Sequence, residues 1–247
     1  MNSFPLASEH YWILFAQESA SFLNAYARAN IAENVPDCPE WNVAQLGRHL
    51  GGIYLRCAKI FDRRVTERVE MEKGPDSADG VAAWVAGGAQ QLIESFLLID
   101  ATTPLWTPAG IAPAAFWMRR LTHETMIHTF DLERLHGPIH RPDPKVIVDG
   151  IDEFFHVLLT RKIKANAIDD LLGTLAISPT DNDARWVLGF TPNKMTLLEP
   201  GQHIDAELTG RSIDLLMFLW KRNDTAALGA TGDIDLISSY QKIDLNV

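Results

Sequence analysis

Apolar residues recur at helical spacing through the first half of the chain. In SEHYWILFAQESASFLNAYARAN, residues 8–30, Tyr11, Leu14, Phe15, Phe22 and Tyr26 form one stripe, which predicts an amphipathic helix ended by the PDCPE break. The next helix announces its start. Asn42 is a natural N-cap, Gln45 stands at N3 to complete a capping box, and Trp41 is placed to staple onto Leu46. A third helix is expected from Ser77 to Ile99, after the polar stretch EKGPDSADG. TTPLWTPAGIAP reads as a turn-rich connection, with Pro113 at N1 of a fourth helix that closes near Gly137, a natural C′ residue. Four long helices joined by loops predict an up-and-down bundle.

After GPIHRPDP the pattern changes. VIVDGIDEFFHVLLTRKIK is one more amphipathic helix, but LLGTLAISPT, ARWVLGF, KMTLLE and HIDAELTG are short runs separated by TDND, TPN and PGQ turns, which predict the strands of a small sheet. RSIDLLMFLWKRND and GDIDLISSYQKI return to helix. The expected organisation is a helical domain over residues 1–140 and an α+β domain over 141–247, an α+β chain overall. There is no internal repeat and no low-complexity tract.

Composition narrows the function classes. With 47% hydrophobic and 22% charged residues the chain is globular, and 22 Lys+Arg against 32 Asp+Glu give a net charge of −10. No basic run exceeds two residues, so a nucleic-acid partner is not expected. MNSFPLASEHYW has no basic-then-apolar pattern, and no apolar run approaches the roughly 18 residues of a membrane span, so a cytoplasmic protein is expected. Cys38 and Cys57 form no Cys-x-x-Cys pair; both are expected reduced, Cys57 in the core.

RRLTHETMIHTFDLERLHG, residues 119–137, carries the candidate chemistry. Four helical residues turn through about 400°, so Glu124 and His128 stack one turn apart and Asp131 falls on the same face. A carboxylate and an imidazole so placed can share a metal ion, with His49, in the well-capped LGRHLGGIYL helix, as the candidate third ligand; three ligands leave positions open for catalysis. A zinc-protease motif needs histidines at i and i+4, whereas position 127 is Ile, so His123 is a packing or supporting residue. A buried helical His is also an ordinary core residue, and a Glu/His pair is common on solvated faces; spacing alone does not decide. His136 and His140 fall in a Pro-rich linker and are expected at the surface. DND at 181–183 lacks the Gly and distal Glu of a calcium loop and reads as a turn. The Gly51-Gly52 pair serves close packing or the approach of a substrate beside His49.

Three stretches carry a family resemblance: WNVAQLGRHLGG, RRLTHETMIHTFDLERLHG and LTGRSIDLLMFLWKR, with DGIDEFF between the two parts of the chain. With them the chain resembles the mycothiol-dependent maleylpyruvate isomerase family of actinobacteria, over nearly its whole length. The resemblance implies a DinB-like metal-binding four-helix bundle followed by a sterol-carrier-like α+β domain. It implies His49, Glu124 and His128 as ligands of zinc or another divalent ion, His49 and Arg222 in catalysis, and Arg120, Asp131 and His123 around the ligands. Lys221 stands where the family usually has Gly, and Arg222 read by itself is a cation at a helix C-terminus. The expected function is metal-dependent, mycothiol-dependent isomerisation of a small electrophilic acid, in a monomer or weak dimer whose partners are that substrate and a low-molecular-weight thiol. Thiol transfer or metal-assisted hydrolysis at the same site, and non-enzymatic binding of a small apolar ligand, are the alternatives.

Overall fold

The computed structural model describes residues 5–165, 170–199 and 201–243. Two compact units divide between His140 and Arg141. No helix among the described residues is long and apolar enough to cross a membrane.

In the first unit, α1 (Ser8–Arg28), α2 (Val43–Arg63), α3 (Ala78–Leu98) and α4 (Ala114–His136) form the four-helix bundle. The capping box that opens α2 is complete: the Asn42 side chain accepts from Gln45 N, and the Gln45 side chain accepts from Asn42 N. Ser77 caps α3 through Gly80 N. Both α1 and α2 pack against α3 and α4, so the chain does not simply pair each helix with its sequence neighbour. The core between them is aromatic. Phe15 meets Tyr54 at 5.1 Å and Phe96 at 5.5 Å between ring centroids, and Phe61 meets Phe96 at 5.2 Å. At Gly51 a Cβ would stand 2.0 Å from Trp84 Cδ1, so this glycine is what lets α2 and α3 approach.

The turn-rich connection before α4 is a β-hairpin instead, β1 (Pro104–Thr107) paired with β2 (Gly110–Pro113). Its strands are too short, and bounded too closely by proline, to show alternation. Thr107 Oγ1 closes the turn by donating to Gly110 O at 2.7 Å, and Gly110 takes φ +119°, a region that favours glycine. Because Pro113 pairs with Pro104 in the hairpin it stays extended, and it is the N-cap of α4, not N1. Gly137 likewise is the C-cap of α4 in extended backbone, not a left-handed C′ residue.

In the second unit, α5 (Pro144–Glu153) runs into a π-helical segment (Phe154–Leu159) and then α6 (Thr160–Ala165), where the sequence predicted one regular helix. The wider turn lets consecutive phenylalanines both bury: Phe154 against Trp220 at 5.4 Å and Phe155 against Trp186 at 5.7 Å. β3 (Gly173–Pro179), β4 (Trp186–Thr191), β5 (Lys194–Leu197) and β6 (Ala206–Gly210) are the four expected strands. A fifth, β7 (Gly229–Gly232), has only GATG and no apolar alternation to announce it. The sheet order is β5-β4-β3-β6-β7, antiparallel except for β3 with β6. Two further helices, α7 (Ser212–Leu219) and α8 (Ile234–Lys242), pack on β3 and β6. The 181–183 stretch is a turn, tied down by Asp181, which accepts from Ser212 N and Oγ.

Candidate metal centre

α4 is buried over much of its circumference, yet it carries many polar residues. Its threonines pose little difficulty, because Thr122, Thr125 and Thr129 return their hydroxyls to the carbonyls of Met118, Leu121 and Thr125 at 2.7–2.9 Å. The charged residues need partners from elsewhere.

Successive turns of α4 present Arg120, Glu124 and His128, and α2 presents His49 to them. His49 Nε2 is 3.0 Å from Glu124 Oε1, and His128 Nε2 is 3.4 Å from the same oxygen. Arg120 takes the other carboxylate oxygen, Oε2. Behind His128, Nδ1 donates to Asp131 Oδ2 at 2.9 Å, and Cys38 Sγ donates to that oxygen at 3.4 Å. Trp41 lies against both imidazoles, 4.5 Å from the His49 ring and 5.9 Å from the His128 ring. Where the sequence placed Trp41 as a helix staple, the structure also makes it a wall of the site.

The electrostatics suit a cation. Burial alone would raise the Glu124 carboxyl, but the Arg120 guanidinium and hydrogen bonds with His128 and His49 outweigh it and hold the group well below the usual carboxylate range. Burial pushes His49 down, against the pull of Glu124, and keeps it neutral. His128 is pulled up, despite its burial, by Asp131, Cys38 and Glu124 around it. An ionised carboxylate and a neutral imidazole are the forms that ligate a metal, so Glu124 and His49 stand in ligating form, whereas His128 would release its extra proton when an ion binds.

One donor atom from each of His49, Glu124 and His128 falls within 4.8 Å of the other two, so these residues fit a single divalent ion. A second group, Cys38, His128 and Asp131, meets the same distance limit but is wholly buried. Its atoms are already spent on one another, thiol to carboxylate and imidazole to carboxylate. We therefore assign it the role of holding His128, with Nε2 turned toward Glu124, as outer hydrogen bonds commonly orient a ligating histidine.

Arg120 and Asp131 each touch a candidate ligand, Arg120 the Glu124 carboxylate and Asp131 the His128 ring. His123 lies outside the three-residue group, buried with its ring edge-on to Tyr11 of α1 at 6.4 Å. Arg222 belongs to the second unit. There it is buried, its Nη1 donates to Trp220 O at 2.8 Å, and its guanidinium lies 5.6 Å from the Trp220 ring. His140, expected at the surface, is instead clasped at the end of the bundle: Nδ1 is 2.9 Å from Glu133 Oε2 and Nε2 is 3.2 Å from Glu18 Oε1. Cys38 and Trp41 went unread as site residues, because nothing in their spacing ties them to positions some ninety residues later.

Residues 14–133 match the family described as the mycothiol maleylpyruvate isomerase N-terminal domain. Two crystal structures of the mycothiol-dependent maleylpyruvate isomerase, one of them a histidine-to-alanine mutant, resemble the chain in fold. The mutant structure superimposes with a TM-score of 0.66 and the other with 0.62, each at 12% identity and each covering 92% of this chain and 93% of that one. No curated protein sequence matches the chain.

Proposed function

We propose, from the premise that residues 14–133 belong to the mycothiol maleylpyruvate isomerase N-terminal domain family, that this chain is a metal- and thiol-dependent isomerase of a small unsaturated acid. The observation that carries the reading is the convergence of His49, Glu124 and His128 from two helices onto one ion-sized space. Zinc suits two imidazoles and a carboxylate, and when bound it supplies Lewis-acid stabilisation of negative charge that develops on the substrate.

The remaining work falls to the chain's own groups. Asp131 fixes the His128 ring through Nδ1, so that Nε2 is the nitrogen offered to the site. Arg120 keeps the Glu124 carboxylate ionised and oriented. Trp41 shields one side of both imidazoles from water. In the reaction a thiolate of the mycothiol type adds to a cis double bond conjugated to a carbonyl. The resulting single bond rotates, and expulsion of the thiolate re-forms the double bond in the trans arrangement.

The test is zinc analysis of the purified chain, followed by an assay of cis–trans isomerisation of an unsaturated keto acid with and without mycothiol. One zinc per chain and thiol-dependent turnover, both lost in His49→Ala, are expected. A chain without metal, or a His49→Ala variant of unchanged activity, overturns the reading. Covalent capture of the thiol by the electrophile, in place of isomerisation, would identify a transferase on the same residues.

A further inference from the structure

The last turn of α3 is apolar where a surface helix usually turns polar. It closes on SFLL with no basic residue, and Leu97 and Leu98 are 58% and 83% exposed. Single exposed leucines are ordinary, but a contiguous apolar patch marks a contact surface. This patch continues onto α1, where Trp12 is half-buried and Ile13 is exposed on the same face as Glu9.

Each leucine borders a hollow. Leu97 joins Trp12 of α1, Phe96 of α3 and Met118 of α4 around a space of about 340 Å³. Leu98 joins Phe61 of α2 and Ser95 of α3 around one of about 200 Å³ on the other side, and Ile99 belongs to both walls. The charges divide in the same way. Glu9 and Asp100 line the larger hollow, and Arg64 lines the smaller one beside Asp62. Asp62 accepts from Ser95 Oγ at 2.8 Å, and Asp100 accepts from Thr102 N at 2.8 Å and Oγ1 at 2.7 Å. Glu9 and Arg64, both exposed, make no ion pair among the described residues. Arg63, exposed next to Arg64, adds to the positive side.

A surface with acid on one side, base on the other and leucines between them is complementary to itself. When a second copy is turned about a two-fold axis through the leucines, its Arg64 faces Glu9, its Glu9 faces Arg64, and its Leu98 faces the larger hollow. We propose that this end of the bundle is a self-association surface, and that its partner is a second copy of the chain in an isologous dimer. The patch is small for a specific interface, so the dimer is a weak one, with a dissociation constant on the order of 10–100 μM. This inference is independent of the metal centre.

Sedimentation velocity of the full chain from about 1 to 500 μM tests it, with monomer expected at the low end and dimer at the high end. Leu98→Gln, which keeps a good helix former in place, should weaken the dimer about 10-fold or more. Glu9→Arg and Arg64→Glu should each do the same, because each sets like charges opposite one another across the axis. Mixed in equal amounts, those two variants should associate with each other about as strongly as the parent does with itself, since the mixed pair restores both opposite-charge contacts. Recovery on mixing is a result that misfolding of either variant does not produce. A parent chain that is monomeric throughout, undiminished association in any of the single variants, or no recovery on mixing two folded charge variants would each overturn the proposal.

Discussion

His49 Nε2 lies 3.0 Å from Glu124 Oε1, joining side chains of two different helices that are 75 positions apart in sequence. That contact puts the site between α2 and α4, and its loss should be read first in metal content. His49→Ala removes one of the three proposed ligands. It is expected to abolish stoichiometric zinc and, with it, the rise in melting temperature that zinc gives the parent chain. Atomic absorption and thermal melts with and without zinc check both.

Asp131 touches His128 without belonging to the ligand group. Asp131→Asn keeps the size and removes the charge that fixes the ring, so zinc should bind about 10- to 100-fold more weakly in a protein that is still folded. A competition titration against a chromophoric chelator measures it. Unaltered affinity would mean that Asp131 is only a core partner of Cys38.

His140 provides the pH dependence. Burial would lower it, but hydrogen bonds with Glu133 and Glu18 outweigh burial and raise it to about 9. A folded-state value above that of the unfolded chain, about 6.5, stabilises the fold fully below about pH 6.5 and progressively less as pH climbs through about 9. The ring is partly exposed, so screening leaves a contribution on the order of 1 kcal/mol, or a melting-temperature change of about 2–4 °C. Melts at pH 6 and pH 9.5 should show that loss in the parent and a smaller one in His140→Asn. An identical slope in both would remove His140 from the account.

Lys221 sits in the left-handed region at φ +64°, just after α7. Its N–H donates to Phe218 O at 3.0 Å and that of Arg222 to Met217 O at 2.7 Å, the bonding pattern of a glycine-type helix stop. Lys221→Gly removes backbone strain of about 1 kcal/mol and gives up two contacts of the Lys221 Nζ, its bond to Tyr240 O and its position over the Tyr240 ring, 3.4 Å from the centroid. The expected outcome in denaturant titration is a change between neutral and about 1 kcal/mol more stable. Destabilisation beyond that range would show that the contacts of Nζ with Tyr240 outweigh the backbone strain.

The four helices and four of the five strands of the larger sheet were legible because their signals are local. Asn42 and Gln45 reveal a capping box within four residues, and Glu124 with His128 reveals a ligand pair within one turn. What stayed hidden depends on distant partners. GATG becomes β7 only because β6 offers an open edge, and the prolines around the β1–β2 hairpin mask pairing that its register and the Trp117 Nε1 bond to Trp106 O, at 2.6 Å, make definite. His140 looked solvated among prolines, since neither carboxylate that clasps it is a sequence neighbour in any obvious pattern. The family resemblance supplied the ligand set that spacing left open, and the structure brings those three residues together. It could not supply Cys38, which belongs to this chain's own packing.

The parallel pairing of β3 with β6 also bears on how the second unit assembles. β3, β4 and β5 follow one another as a meander and can form from neighbouring segments. β6 joins the opposite edge of β3 only after the chain has passed through both of those strands, and β7 follows on β6. Closing that long loop costs more entropy than the short turns of the meander, and it leaves β3 paired on both sides. In native-state hydrogen exchange the amides of β3 should therefore be the last of the sheet to open, and those of β5 and β7 the first.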